Sequence, residues 1–172
     1  MKKVLTSGIM ICLFFVLQTT FFRALDFGGI VPNLLIIVTA TLGFTKGEKS
    51  GLWVGFFSGL LCDIFCGEVV GFYALIYMYI GYVNGKFTRI FYPEDIKLPA
   101  SLIIVSDFSY GLINYILTFL LRGRLDFGFY FIHIILPEVI YTAVVTIVFY
   151  PLILLVNRIT EKNPRRSMKK FV

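Results

Sequence analysis

Three carboxylates, Asp63, Asp107 and Glu138, lie inside otherwise apolar runs of this 172-residue chain. No Lys or Arg shares those runs, and the single histidine, His133, stands near one end of the last. An ionised acid in a bilayer interior is costly, so each should face protein and be paired or protonated. Such a set could form a proton relay, a pocket for a cationic solute, or hydrogen-bonded structural posts. Asn33, Ser58, Ser106, Ser109, Asn114, His133 and several tyrosines are available polar partners. Glu138 follows Pro137, which frees a backbone carbonyl one turn earlier and can kink its helix. That pairing favours a structural post. His133 reads as a solvated or hydrogen-bonded histidine rather than a ligand.

A second pattern leads into Asp63. Gly43, Gly47, Gly51, Gly55 and Gly59 recur every four residues, and Asp63 and Gly67 keep the step. In lipid no hydrophobic drive joins helices, so close backbone approach supplies the attraction. Gly51, Gly55 and Gly59 therefore form either an internal packing strip or a groove for a partner's helix.

The chemistry that is missing narrows the function. There is no Gly-x-Ser-x-Gly, His-Glu-x-x-His, P-loop or dinucleotide fingerprint. Glu94–Asp95 is an acidic pair beside Pro93 and reads as a turn rather than a metal site. Cys12, Cys62 and Cys66 lie in apolar runs and read as reduced and buried; Cys62 and Cys66, one turn apart with no histidine near, make a poor zinc pattern. The residues predict no enzyme, no metal and no cofactor.

Six apolar stretches must position these groups: about Val4–Phe22, Ile30–Thr45, Ser50–Cys66, Val69–Asn84, Leu98–Leu121 and Phe131–Val156. A hydrocarbon core ~30 Å thick takes ~20 helical residues, so the second and third stretches are short. Hydrophobic residues make up 58% of the chain and its mean hydropathy is +0.87, too much apolar surface for a soluble domain of this size to hide. The prediction is an all-α, polytopic membrane protein. Residues 1–157 form a six-helix transmembrane domain, and residues 158–172 form a basic cytoplasmic tail.

Charge sets the orientation. With the amino terminus inside, 13 of the 16 Lys and Arg fall on the cytoplasmic side, leaving Arg23, Arg122 and Arg124 outside. The positive-inside rule then gives six spans with both termini cytoplasmic. The opening segment has no small-residue cleavage site and reads as a retained helix rather than a signal peptide. By length along the helix, Asp63 lies roughly 20 Å and Asp107 about 14 Å above the cytoplasmic ends of their spans. Glu138 lies about 12 Å inside the outer end of its own. The net charge of +6 belongs to loops and tail, with no basic face for nucleic acid. Arg158, Lys162, Arg165, Arg166, Lys169 and Lys170 suit anionic lipid headgroups or a cytoplasmic partner. Lys86–Lys97, with Phe87, Phe91 and Tyr92, suits an interfacial turn.

Val31–Phe87 resembles the central block of the rod shape-determining protein MreD family. Pro32 with Leu34–Leu35 opens the second span, Lys46–Lys49 form a basic turn, and Gly51, Gly55, Gly59, Asp63, Gly67 and Gly71 follow. Tyr82 and Gly85 close the block. Asn33 departs from the family pattern, where many members carry Asp after the proline. The resemblance implies a non-enzymatic component of the bacterial cell-elongation machinery in the cytoplasmic membrane. It implies association with MreC, a bitopic protein, and with the actin-like MreB. Through them it implies an influence on lateral peptidoglycan synthesis by RodA and a penicillin-binding transpeptidase. The fold it implies is similar to the substrate-binding subunit of energy-coupling-factor transporters. That likeness supplies the alternative function, a solute-binding subunit with Asp63, Asp107 and Glu138 lining an outward pocket.

Overall fold

Where water is absent a chain must satisfy its own backbone, and a helix does so within one segment. The computed structural model describes residues 2–26, 28–67, 70–89, 97–117 and 126–161, and among them every regular element is helical. Helix α1 runs Lys2–Val16 and continues through a π-helical segment, Leu17–Phe22. Helices α2 (Leu34–Lys46), α3 (Glu48–Cys66), α4 (Phe72–Lys86) and α5 (Lys97–Tyr115) follow. Helix α6 begins as Phe127–Tyr130, passes through a π-helical segment, Phe131–Ile135, and extends as Leu136–Glu161. Two rods, Val4–Phe22 and Phe127–Thr160, are long and apolar enough to cross a membrane.

Helix α2 is the axis of the fold. Every residue from Leu34 to Phe44 is buried, as expected of a helix that is apolar all round. The other five helices pack against it. It starts later than the expected Ile30 because Pro32 lacks an N–H and Asn33 caps the first turn. Helix α4 starts after Gly71, whose φ of +102° reverses the chain in a conformation glycine adopts without strain. Helix α6 is longer than expected at both ends.

Pro137 does not act through a sharp kink alone. The segment just before it, Phe131–Ile135, widens into a π-helical turn, a feature that by itself redirects a helix. His133 sits in that turn, exposed, with Nδ1 3.0 Å from the Phe129 carbonyl and its ring stacked on Phe129. The cysteine expectation is half corrected. Cys62 is buried, but Cys12 is exposed because its side of α1 has no neighbouring helix over it. The side chain of Cys66, the 90–96 part of the basic loop, Arg122 and Arg124 lie outside the described residues, as do Lys162, Arg165, Arg166, Lys169 and Lys170 of the tail. Arg158 is exposed near the end of α6.

Candidate functional site

The glycine strip faces inward. A Cβ on Gly51 would meet the Gly81 carbonyl, one on Gly55 the Tyr77 carbonyl, and one on Gly59 the Tyr73 carbonyl. The opposing positions fall by four as the strip rises by four, the register of two antiparallel helices. Gly81 reciprocates against Gly51, Gly85 abuts Glu48, and a Cβ on Gly43 of α2 would stand 2.9 Å from the Gly81 carbonyl. Three backbones thus converge where only hydrogen fits. Of the two readings of the strip, internal packing or a partner's groove, it is α4 of the same chain that lies against it.

Asp63 continues the strip by one step, and there the neighbour is no longer a helix side but a helix end. Its carboxylate, 1% exposed, accepts three backbone N–H bonds from the start of α4. Gly71 and Ala74 donate to Oδ2 at 2.9 and 3.0 Å, and Tyr73 donates to Oδ1 at 2.8 Å. The free N–H groups of a helix start carry a partial positive charge and are costly to leave unpaired away from water. The acid at the end of α3 supplies what an N-cap side chain normally supplies from its own chain position. Asp63 is thereby a structural post, tying α3 to α4.

The buried start of α2 is treated the same way. Leu35 N–H donates to Oε1 of Gln18, reaching from the π-helical segment of α1, and Ile36 N–H donates to Oδ1 of Asn33. Leu34 and Ile37 N–H groups use the backbone carbonyls of Pro32 and Asn33. Asn33 also accepts from the Tyr77 hydroxyl at 2.7 Å, and its own N–H donates to Thr142 at 3.1 Å. One residue so joins α2, α4 and α6. Both side-chain bonds to Asn33 Oδ1 use it as an acceptor, which a carboxylate can equally be. Asn33→Asp, the family-like residue, is therefore expected to shift the unfolding midpoint little. Asn33→Leu should cost ~2–3 kcal/mol, because it strands a buried N–H and a hydroxyl; thermal unfolding in detergent compares the two.

Asp107 and Glu138 form a different kind of pair. Asp107 on α5 is 1% exposed, and its carboxylate is held weakly: the Thr142 hydroxyl of α6 lies within its reach, but neither oxygen makes a well-formed hydrogen bond among the described residues. Glu138 on α6, half-buried, lies within its electrostatic reach, as does Tyr110. Tyr110 in turn packs tilted against Tyr73 and edge-on to Tyr77, with ring centroids 6.2 and 5.4 Å away. The serines that sequence offered as partners are engaged or turned elsewhere. Ser106 accepts from Asn84 at 2.7 Å, Ser109 donates to its own helix, and Ser58 Oγ is buried without a partner. A buried carboxyl so weakly held is a net cost. Asp107→Leu, similar in volume, should leave the unfolding midpoint unchanged or raise it, by up to ~1–3 kcal/mol. A large fall would show that the acid has a structural partner after all.

Two cavities border the bundle. One, of about 780 Å³, lies between α1 and α3. The other, of about 450 Å³, is a shallow apolar depression beside Pro137 and Tyr141. Neither is lined by Asp63, Asp107 or Glu138, so the three acids do not converge on one site. Among the described residues no three His, Cys, Asp or Glu side chains come together in a way that could hold a metal.

Several residues that position this core were not singled out from sequence. Gly81 is one; with Gly85, noted above only as closing the family-like block, it makes a second Gly-x-x-x-Gly on α4, a signal the chain does carry. Gln18 and Thr142 are polar residues in apolar runs, but their partners lie 17 and 109 residues away, and no local pattern names them. Comparison with known proteins gives one finding. No curated protein and no solved structure matches the chain significantly. A family model, rod shape-determining protein MreD, matches residues 1–159.

Proposed function

The chain belongs to the rod shape-determining protein MreD family, and on that premise we propose that it is a non-enzymatic scaffold of the cell-elongation machinery, embedded as a multi-pass protein in the bacterial cytoplasmic membrane. In this reading all six helices cross, both termini are cytoplasmic, and short α2 is sheltered by the other five. We infer for it the six-helix fold of an energy-coupling-factor substrate-binding subunit, put to work through protein contacts. The partners are an MreC-like bitopic protein and an MreB-like filament, and through them RodA and a penicillin-binding transpeptidase. Arg158 and the basic tail that follows it meet anionic headgroups and the filament side.

One observation carries this reading beyond the family. The glycine strip and Asp63 are consumed by the chain's own α4, so what remains to offer a partner is the outer surface. Ile140, Val144 and Ile147 are exposed along one face of α6. The test is in-cell crosslinking between single cysteines and a cysteine scan of the MreC transmembrane helix, beside complementation of rod shape. Helically periodic crosslinks from outward positions, with none from Gly51–Gly59, are expected. An inserted protein that gives no crosslink anywhere and does not restore rod shape would overturn the scaffold.

The solute-binding alternative draws on the weakly held Asp107 near Glu138, which a cation could satisfy. Thermal stabilisation by a vitamin or an organic cation, lost in Asp107→Leu, would favour it.

A further inference from the structure

The cavity between α1 and α3 is polar at one end only. Ser7, Thr45, Lys46, Lys49 and Ser50 gather there, at the level of the α2–α3 turn. Lys46 Nζ donates to Ser7 Oγ at 2.9 Å, which fixes one ammonium at the mouth and ties α1 to the turn. From that mouth the cavity runs between apolar walls, including Ile11, Phe57, Leu61 and Ile64. Gly8 opens the α1 side, since a Cβ there would meet nothing within 4 Å. Trp53, the chain's single tryptophan, stands on the α3 side, 60% exposed.

We propose that this cavity binds one anionic phospholipid of the cytoplasmic leaflet, its phosphate at Lys46 and Lys49 and an acyl chain between α1 and α3. This rests on the membrane orientation proposed above, which puts the α2–α3 turn inside. Charge and shape both select a lipid. Two ammonium groups with Ser50 beside them suit a phosphate ester, while the Thr45 hydroxyl is spent on the Thr41 carbonyl. A volume of about 780 Å³ falls in the range of small-molecule sites. A transmembrane helix fits less well. Helix contacts in lipid depend on small residues that let backbones approach, and the walls away from the mouth are mostly bulky, with Ile11, Trp53, Phe57, Leu60, Leu61 and Ile64.

Trp53 makes the site directly readable. The full chain, reconstituted in zwitterionic vesicles, is titrated with brominated phosphatidylglycerol or brominated phosphatidylcholine, and tryptophan quenching is followed. The anionic lipid is expected to quench at roughly tenfold lower mole fraction, since each lysine near a headgroup adds comparable attraction. Lys46→Gln with Lys49→Gln should abolish that preference while leaving quenching by phosphatidylcholine in place. Gly8→Leu, which grows into open space, should reduce quenching by the anionic lipid to the phosphatidylcholine level with both lysines intact. Equal quenching by the two lipids in the wild type would overturn the site but not the membrane reading. A preference that survives both variants would assign the selectivity elsewhere and overturn it too. No quenching by either lipid would mean that the chain is not inserted, and would overturn the orientation with it. A crosslink from position 8 or 57 to the MreC helix that excludes the brominated lipid would give the cavity to a protein instead.

Discussion

Asp63→Ala is expected to lower stability by ~3–5 kcal/mol, seen as a large fall in the thermal unfolding midpoint in detergent. The size follows from the three N–H donors it satisfies. A hydrogen bond to a charged acceptor contributes ~1.5–3 kcal/mol, and the three share one carboxylate, so their effects overlap. Alanine leaves the Gly71, Tyr73 and Ala74 N–H groups at the start of α4 without this acceptor, and the Ala74 N–H is buried. The conservative variant separates acceptor geometry from mere volume. Asp63→Asn keeps one carbonyl oxygen but turns an amide donor toward other donors, so it should lose roughly half as much. An alanine variant within about 1 kcal/mol of wild type would mean that the three bonds are not what holds α4 to α3.

This role could be half read in the sequence. The four-residue step from Gly51 to Asp63 puts the acid on the packing face of α3, and periodicity alone establishes that. What the acid meets depends on where α4 begins, and that is decided by the turn at Gly71. A pattern confined to α3 therefore gives the face and not the partner. Asn33 shows the same limit. A cap residue just after a proline and before an apolar run marks the start of α2. Its bonds to Tyr77 and Thr142 come from α4 and α6 and leave no local trace. The bare side of α1 was hidden for another reason. A helix that is apolar around most of its circumference, as membrane helices are, does not say which face lacks a neighbour, so exposed Cys12 and the cavity beside it were not legible. Asp107 could be recognised as a buried acid, but how weakly its carboxylate is held, with Thr142 of α6 in reach, is a property of the assembled bundle.

The same logic gives the second large effect. Gly55→Leu should prevent the α3–α4 hairpin from closing, at a cost of at least ~3 kcal/mol. The Cβ would fall on the Tyr77 carbonyl, and Tyr77 backbone cannot move aside without dragging α4 away from α2 as well. Overpacking in a core that can adjust costs ~1–3 kcal/mol, but here the obstacle is backbone rather than the end of a side chain. Separating the helices would also lengthen the Asp63 bonds, since the strip sets the distance across which that carboxylate reaches. Gly55→Leu and Asp63→Ala should therefore be far from additive: once the helices part, removing the acid has little more to lose. Unfolding midpoints of the two single variants and the double variant measure that coupling. Rod-shape complementation adds the functional readout, and both single variants should lose it while remaining in the membrane fraction. A stable Gly55→Leu protein that fails only in complementation would place a partner's helix, not α4, on this strip.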